Sequence, residues 1–170
     1  PTNQKSKKYW IYAPGGNADK WDEFRNEGIM AMGWDELGDL NQYDGKKEIA
    51  ERLRKLENTE SSKKNDASVN YDIFKTIEIG DVVIAKKGVK EYLGYGVVES
   101  EYFYDDDRKE FKSCRKVDWK SNGIWAETKG EIVAKTLTDI TKYPDYVERL
   151  KALLGIDFDN TYNYNVWIEK

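Results

Sequence analysis

Apolar and polar positions follow two different rhythms along the chain. Residues 8–13 (KYWIYA) form a short aromatic and β-branched run stopped by Pro14-Gly15-Gly16, which reads as a first strand entering a tight loop. Asn17 stands where a helix N-cap belongs. Asp19, Asp22 and Glu23 place acid in the first turn, Trp21 and Phe24 share a face with Arg25 beside them, and Gly28 marks the end. Residues 29–34 (IMAMGW) read as a second, buried strand that opens into an acidic, glycine-containing loop at 35–40. Ile49, Leu53 and Leu56 recur at helical spacing and predict an amphipathic helix over 46–56. A polar stretch over 58–65 precedes a second helical pattern over 66–76, with Asn65 as its cap. From residue 79 the rhythm becomes that of strands: 81–86, a Lys87-Gly88 turn, 92–104, an acidic turn at 105–107, and 111–120. This predicts an antiparallel meander, with Gly94 and Gly96 bending its middle strand towards a barrel. Residues 136–140 lead to a last helix after Pro144, with Tyr146, Val147, Leu150, Leu153 and Leu154 as its stripe and Gly155 as its end.

The expected architecture is α+β: one domain over 8–155, an N-terminal arm at 1–7, and a tail or linker at 156–170. A chain of 170 residues suits a single core. Charged residues make up 35% and the mean hydropathy is −0.86, yet six Trp and twelve Tyr supply enough rigid apolar area for a core.

With 28 basic against 32 acidic residues the net charge is −4, so any grip on nucleic acid must come from a local patch. The absence of histidine excludes Ser-His and Cys-His catalysis and His-bearing zinc sites. Cys114 is alone, which excludes an internal disulfide and fits a reducing compartment. No apolar run has the length of a membrane span, and the Lys-rich start lacks the apolar stretch of a signal peptide, so a cytoplasmic location is expected. No cofactor or metal is expected.

Trp10, Tyr12, Trp21 and Trp34 cluster around the first strand, loop, helix and second strand, where aromatic walls could form a slot for a flat ring. Core packing is the competing reading, and it suits Trp10 best, as it suits Phe103 and Trp119 further on. Trp34 ends an apolar strand and is followed by Asp35, an acceptor able to read an exocyclic N–H. The loop before Asn17 offers backbone N–H groups to an anion. Basic clusters occur at Lys63-Lys64-Asn65, at Lys86-Lys87, and along Arg108, Lys112, Arg115 and Lys116, and these are the candidate contacts to a phosphate backbone. Glu110-Phe111-Lys112 spells half of a metal-dependent nuclease site, with no partner Asp on a neighbouring strand in evidence. Paired acids such as Asp35 and Asp39 carry no mark of glycoside hydrolysis.

Residues 9–17 (YWIYAPGGN) with Trp21-Asp22-Glu23-Phe24, and 28–40 (GIMAMGWDELGDL), resemble the EVE-type N-terminal domain fused to McrB-like AAA+ GTPases of modification-dependent restriction systems. The likeness continues in order through Lys63-Lys64-Asn65-Asp66-Ala67, Gly80-Asp81-Val82-Val83, Lys86-Lys87-Gly88, residues 93–98 (LGYGVV), residues 102–105 (YFYD), residues 115–119 (RKVDW) and residues 136–141 (TLTDIT), covering about residues 8 to 155. The resemblance implies a PUA-like curved antiparallel β-barrel flanked by helices and related to the YTH domains. It implies capture of a modified base, methylated or hydroxymethylated, flipped out of DNA into an aromatic pocket. The resemblance puts Trp34, directly after Gly33, at the position of a cage wall, with Asn17 and Asp35 beside it as edge readers. Tyr12, Trp21, Tyr71 and Tyr95 compete for the other walls. The implied partners are an AAA+ GTPase hexamer and a separate nuclease subunit. The chain contains no G-x-x-x-x-G-K-[ST] motif, which suggests an excised specificity domain, monomeric and without catalysis of its own. An RNA-binding PUA-like reader, a metal nuclease using Glu110 and Lys112, and a protein-interaction module are the alternatives.

Overall fold

The computed structural model describes residues 6–156, so most of the expected N-terminal arm and the tail beyond residue 156 lie outside the described residues. Strand β1 (Tyr9–Tyr12) is buried along its whole length because it has a strand on each side and a core on each face. Alternation sends Trp10 and Tyr12 into one core and Tyr9 and Ile11 into another. The first core is completed by Phe24 of α1 (Trp21–Glu27), by β2 (Ile29–Met32), by Ile49 and Leu53 of α2 (Lys46–Glu57), and by Ala67 and Val69 of α3 (Lys64–Tyr71). The second is closed by Val147, Leu150 and Leu154 of α4 (Pro144–Leu154).

The remaining strands are β3 (Val82–Lys87), β4 (Glu91–Val98), β5 (Phe103–Tyr104), β6 (Ser113–Trp119), β7 (Trp125–Ala126) and β8 (Leu137–Asp139). They form one sheet in the order β2-β6-β4-β3-β1-β8, with β5 beside β6 and β7 beside β4. The expected meander is present as β3-β4-β6, but the sheet is mixed rather than wholly antiparallel, because β1 and β3 run parallel. The segment between them holds α1, β2, α2 and α3, ample for the crossover that a parallel pair needs. Residues 137–139, expected only as the lead into a helix, form an edge strand on β1. The expected strand over 92–104 is broken at Ser100, whose hydroxyl accepts the Lys116 amide at 2.7 Å.

The sheet curls into a half-barrel. Register slips between Ala85 and Lys86, opposite Gly94, whose φ of 153° and close approach to Ser121 require glycine: a β-carbon there would lie 2.2 Å from the Ser121 carbonyl oxygen. The curl is closed by a side chain. Three strands separate β1 from β2 in the sheet, yet the Tyr12 hydroxyl donates to the Ala31 carbonyl at 2.6 Å and accepts the Ala31 amide at 2.9 Å.

Two expected helix starts move. Asn17 does not cap α1; Gly16–Ala18 forms a separate 3-10 turn, with Asn17 at φ 53° and Ala18 at φ 59°, and α1 begins at Trp21. Likewise α3 begins after Lys63, and Asn65 sits within its first turn. The helical pattern expected to run to residue 76 widens after Tyr71 into one π turn, Asp72–Thr76, in which the Ile77 amide bonds the Asp72 carbonyl at 2.9 Å.

Candidate functional site

A cavity of about 650 Å³ opens where the loops after β1, β2 and β3 meet the segment before β8. Its floor is small: Ala13, Ala31, Gly33 and Gly88 contribute little more than backbone. Its walls are Trp34, Phe111, the turn carrying Asn17 and Ala18, Lys86 and Thr136, with Glu36 and Glu57 also lining it.

Trp34 is half-buried, packed against the first core and lining this cavity as well as a smaller one shared with Leu37, Leu53 and Leu56. It is therefore neither a core plug nor a loose surface ring. Asp35 is engaged within the protein. Its Oδ2 accepts the Phe111 amide at 2.8 Å and its Oδ1 accepts the Lys112 amide at 2.9 Å, so the carboxylate is spent on a loop 76 residues away in sequence. That pair of bonds holds Phe111 at φ 54°, a conformation uncommon for a residue with a side chain. The Phe111 ring lies directly on Gly33, where a β-carbon would come within 2.9 Å of it, and it meets Phe24 edge-on at 5.5 Å. Asp35 thus positions the second aromatic wall beside the first.

Asn17 lines the cavity and is exposed, held on a turn whose left-handed backbone an Asn tolerates. The other proposed walls are elsewhere. Tyr12 is fully buried and bonded to Ala31; burial pushes its hydroxyl pKa far up. Trp21 is buried beneath Ala18, with its Nε1 donating to Asn122 at 2.9 Å and its ring edge-on to Trp119 at 4.9 Å. Tyr95 packs with the α4 core on the other side of the sheet, and Tyr71 packs against the first core with the Lys46 ammonium 5.4 Å from its ring. Trp10 is fully buried, as its mid-strand position suggests.

The basic candidates divide in the same way. Arg115 cannot grip a phosphate: it is 1% exposed, and its guanidinium bonds the carbonyls of Ile73, Phe74 and Ser100 at 2.7, 3.2 and 3.1 Å. Arg108 is tied to Glu23 and Glu27 of α1, each at 2.5 Å. Lys63 pairs with Glu57 at the cavity rim and with Asp66. Lys86 lies inside the cavity wall rather than on the surface, and burial lowers its pKa. Lys64, Asn65, Lys87 and Lys116 are exposed; Lys87 stands between the cavity-lining Lys86 and Gly88, Lys64 and Asn65 follow Lys63, whose ammonium pairs with the cavity-lining Glu57, and Lys116 lies apart, beside Gly28 and Asp118.

The nuclease tripeptide does not assemble a site. Glu110 accepts the Lys20 ammonium at 2.5 Å and the Lys112 ammonium lies 3.6 Å from Asp106. Among the described residues no three Asp, Glu, Cys or His side chains cluster as metal ligands. Burial pushes the Cys114 thiol up to about 12, which leaves it a packing group. No helix among the described residues is long and apolar enough to cross a membrane.

Sequence reasoning missed Phe111, Thr136 and Glu57 as cavity residues. No local pattern marks them, since each arrives from a distant element; only the aromatic character of Phe111 inside a basic stretch was a signal. A family model described as Domain of unknown function (DUF8426) matches residues 10–144. A comparison with curated proteins gives no match.

Proposed function

The chain belongs to the DUF8426 domain family, and we propose that it reads a modified base in DNA by taking the flipped base into the cavity beside Trp34. The observation that carries this reading is the half-buried indole of Trp34 standing with Phe111 around a cavity whose floor is nearly bare backbone. Two aromatic walls and a smooth floor suit a planar guest, and stacking on such rings contributes about 1–3 kcal/mol per base. That gain offsets the few kcal/mol that extruding a base costs. In this account Asn17 reads the base edge, Asp35 fixes Phe111, and Lys64, Asn65 and Lys87 touch flanking phosphates.

The finer fold reading belongs to the same proposal: the curled sheet with its flanking helices is of the PUA-like, EVE type. The domain binds and does no chemistry. In a longer protein it would direct an AAA+ GTPase and its nuclease partner to modified DNA.

The test is a panel of otherwise identical duplexes differing at one base: unmodified cytosine, 5-methylcytosine, 5-hydroxymethylcytosine, adenine and N6-methyladenine, with RNA of matched sequence alongside. One modified DNA duplex is expected to bind at least about fivefold tighter than its unmodified twin. Equal binding of all DNA duplexes, or preference for the RNA, refutes the reading.

A further inference from the structure

Lys86 is the one basic side chain that lines the cavity from within. It is 3% exposed, and its Nζ makes one hydrogen bond among the described residues, to the Val133 carbonyl at 2.5 Å, beside the cavity-lining Ala134 and Thr136. An ammonium carries three donors, and cations this deeply buried are ordinarily paired with a carboxylate. Lys86 has no such pair among the described residues. The nearest acids in the lining are committed or remote in role: Glu57 is bound to Lys63, and Glu36 lies on the exposed turn that follows Trp34. The result is a buried ammonium on the lining of the cavity that spends one of its three donors among the described residues and has no carboxylate paired with it.

We propose that Lys86 is a specificity-determining residue of this cavity, and that the group it takes is an anionic oxygen carried by the guest nucleotide. The inference rests on the base-reading function above. An anionic oxygen gives the ammonium the counter-charge that the protein does not provide, and a charge-assisted hydrogen bond is the stronger kind. Burial lowers the Lys86 pKa with no carboxylate opposing it, so an arriving anion also stabilises the charged form. Two sources of that oxygen are possible: a carboxylate substituent on the base, or the phosphate of the flipped nucleotide.

The experiment measures binding of duplexes carrying one cytosine, 5-methylcytosine or 5-carboxycytosine to the wild type, Lys86→Met and Lys86→Gln. Thermal shifts with free cytidine and free cytidine monophosphate are measured in parallel. A carboxycytosine duplex that binds about tenfold tighter than the methylcytosine duplex, with the margin lost in both variants, assigns the oxygen to the base. A loss of about tenfold on every duplex in both variants, with cytidine monophosphate but not cytidine stabilising the wild type, assigns it to the phosphate. The proposal is overturned if Lys86→Met, or Lys86→Gln should the former not fold, binds every duplex within about twofold of wild type and responds to the free nucleotide as wild type does. If no duplex is preferred but the monophosphate still stabilises the wild type more than the variants, base reading fails while the anion site stands. If neither probe distinguishes the variants, both fail.

Discussion

Arg115→Met tests whether the buried guanidinium holds the fold or serves a ligand. The π turn at Asp72–Thr76 shifts the helical hydrogen bonding, and the amides that would next bond the freed carbonyls go elsewhere: Glu78 donates to Asp81 Oδ2 at 3.0 Å and Ile79 sits in an exposed turn. The carbonyls of Ile73 and Phe74 are therefore satisfied by Arg115 Nε and Nη2 at 2.7 and 3.2 Å, with Nη1 reaching Ser100 at 3.1 Å. Methionine fills much of the volume and donates nothing. Leaving two buried carbonyls unpaired costs about 1–3 kcal/mol each. Removing a buried cation returns part of this, since burial works against the charge and lowers the Arg115 pKa. The expected net loss is about 3 kcal/mol, which for a domain of this size lowers the melting temperature by about 6–12 °C. Urea unfolding followed by tryptophan fluorescence gives the number. Arg115→Lys should recover only part of it, because a point ammonium cannot reach three diverging carbonyls as a planar fork does. A Met variant within about 1 kcal/mol of wild type would refute the structural role. So would a folded variant whose salt dependence of DNA binding falls by one phosphate contact.

Other outcomes follow from the same contacts. Tyr12→Phe removes the bridge that closes the curl and leaves both polar groups of Ala31 without it, costing about 2–4 kcal/mol in urea unfolding. Glu127, bound by Arg149 through two contacts of 2.9 Å and by the Tyr92 hydroxyl at 2.6 Å, has its pKa lowered to about 2. Its stabilisation is complete above the unfolded value near 4.5 and is lost as pH falls towards 2. Denaturation at pH 7 and pH 3 should differ in the wild type by an amount that Glu127→Gln diminishes, with about 2 kcal/mol as the upper limit of the effect. Asp35→Ala releases Phe111 from its constrained backbone and should weaken binding of the modified duplex about fivefold or more, while Lys87→Ala weakens modified and unmodified duplexes alike.

The elements with strong periodicity were legible from the chain: β1, α2, the β3-β4-β6 meander and α4 all lie where the hydrophobic pattern puts them. What the pattern concealed was long-range or energetically local. The parallel β1/β3 pairing and the edge strand β8 depend on partners about 70 and 130 residues away, and β8 buries only Leu137, too little to leave a periodic trace. Asn17 looks like a cap by residue type, yet Gly15 and Gly16 allow a tight turn that delays the helix to Trp21. At the cavity, the half-buried placement of Trp34 was legible because an aromatic at the end of an apolar strand, followed by acid, fits core packing poorly. The hold of Asp35 on Phe111 was not legible because its partners are backbone amides, which no sequence pattern displays. Arg115 was misread because a basic residue in a basic stretch looks solvated until its carbonyl acceptors are known.

The most direct test of the central claim follows the indole N–H resonances of the six tryptophans by NMR during titration with the preferred modified duplex. The account predicts that the Trp34 resonance moves most and follows the binding curve, while those of the buried Trp10 and Trp21 move little. A Trp34 resonance unchanged at saturation, with the shifts falling on other indoles, would contradict it.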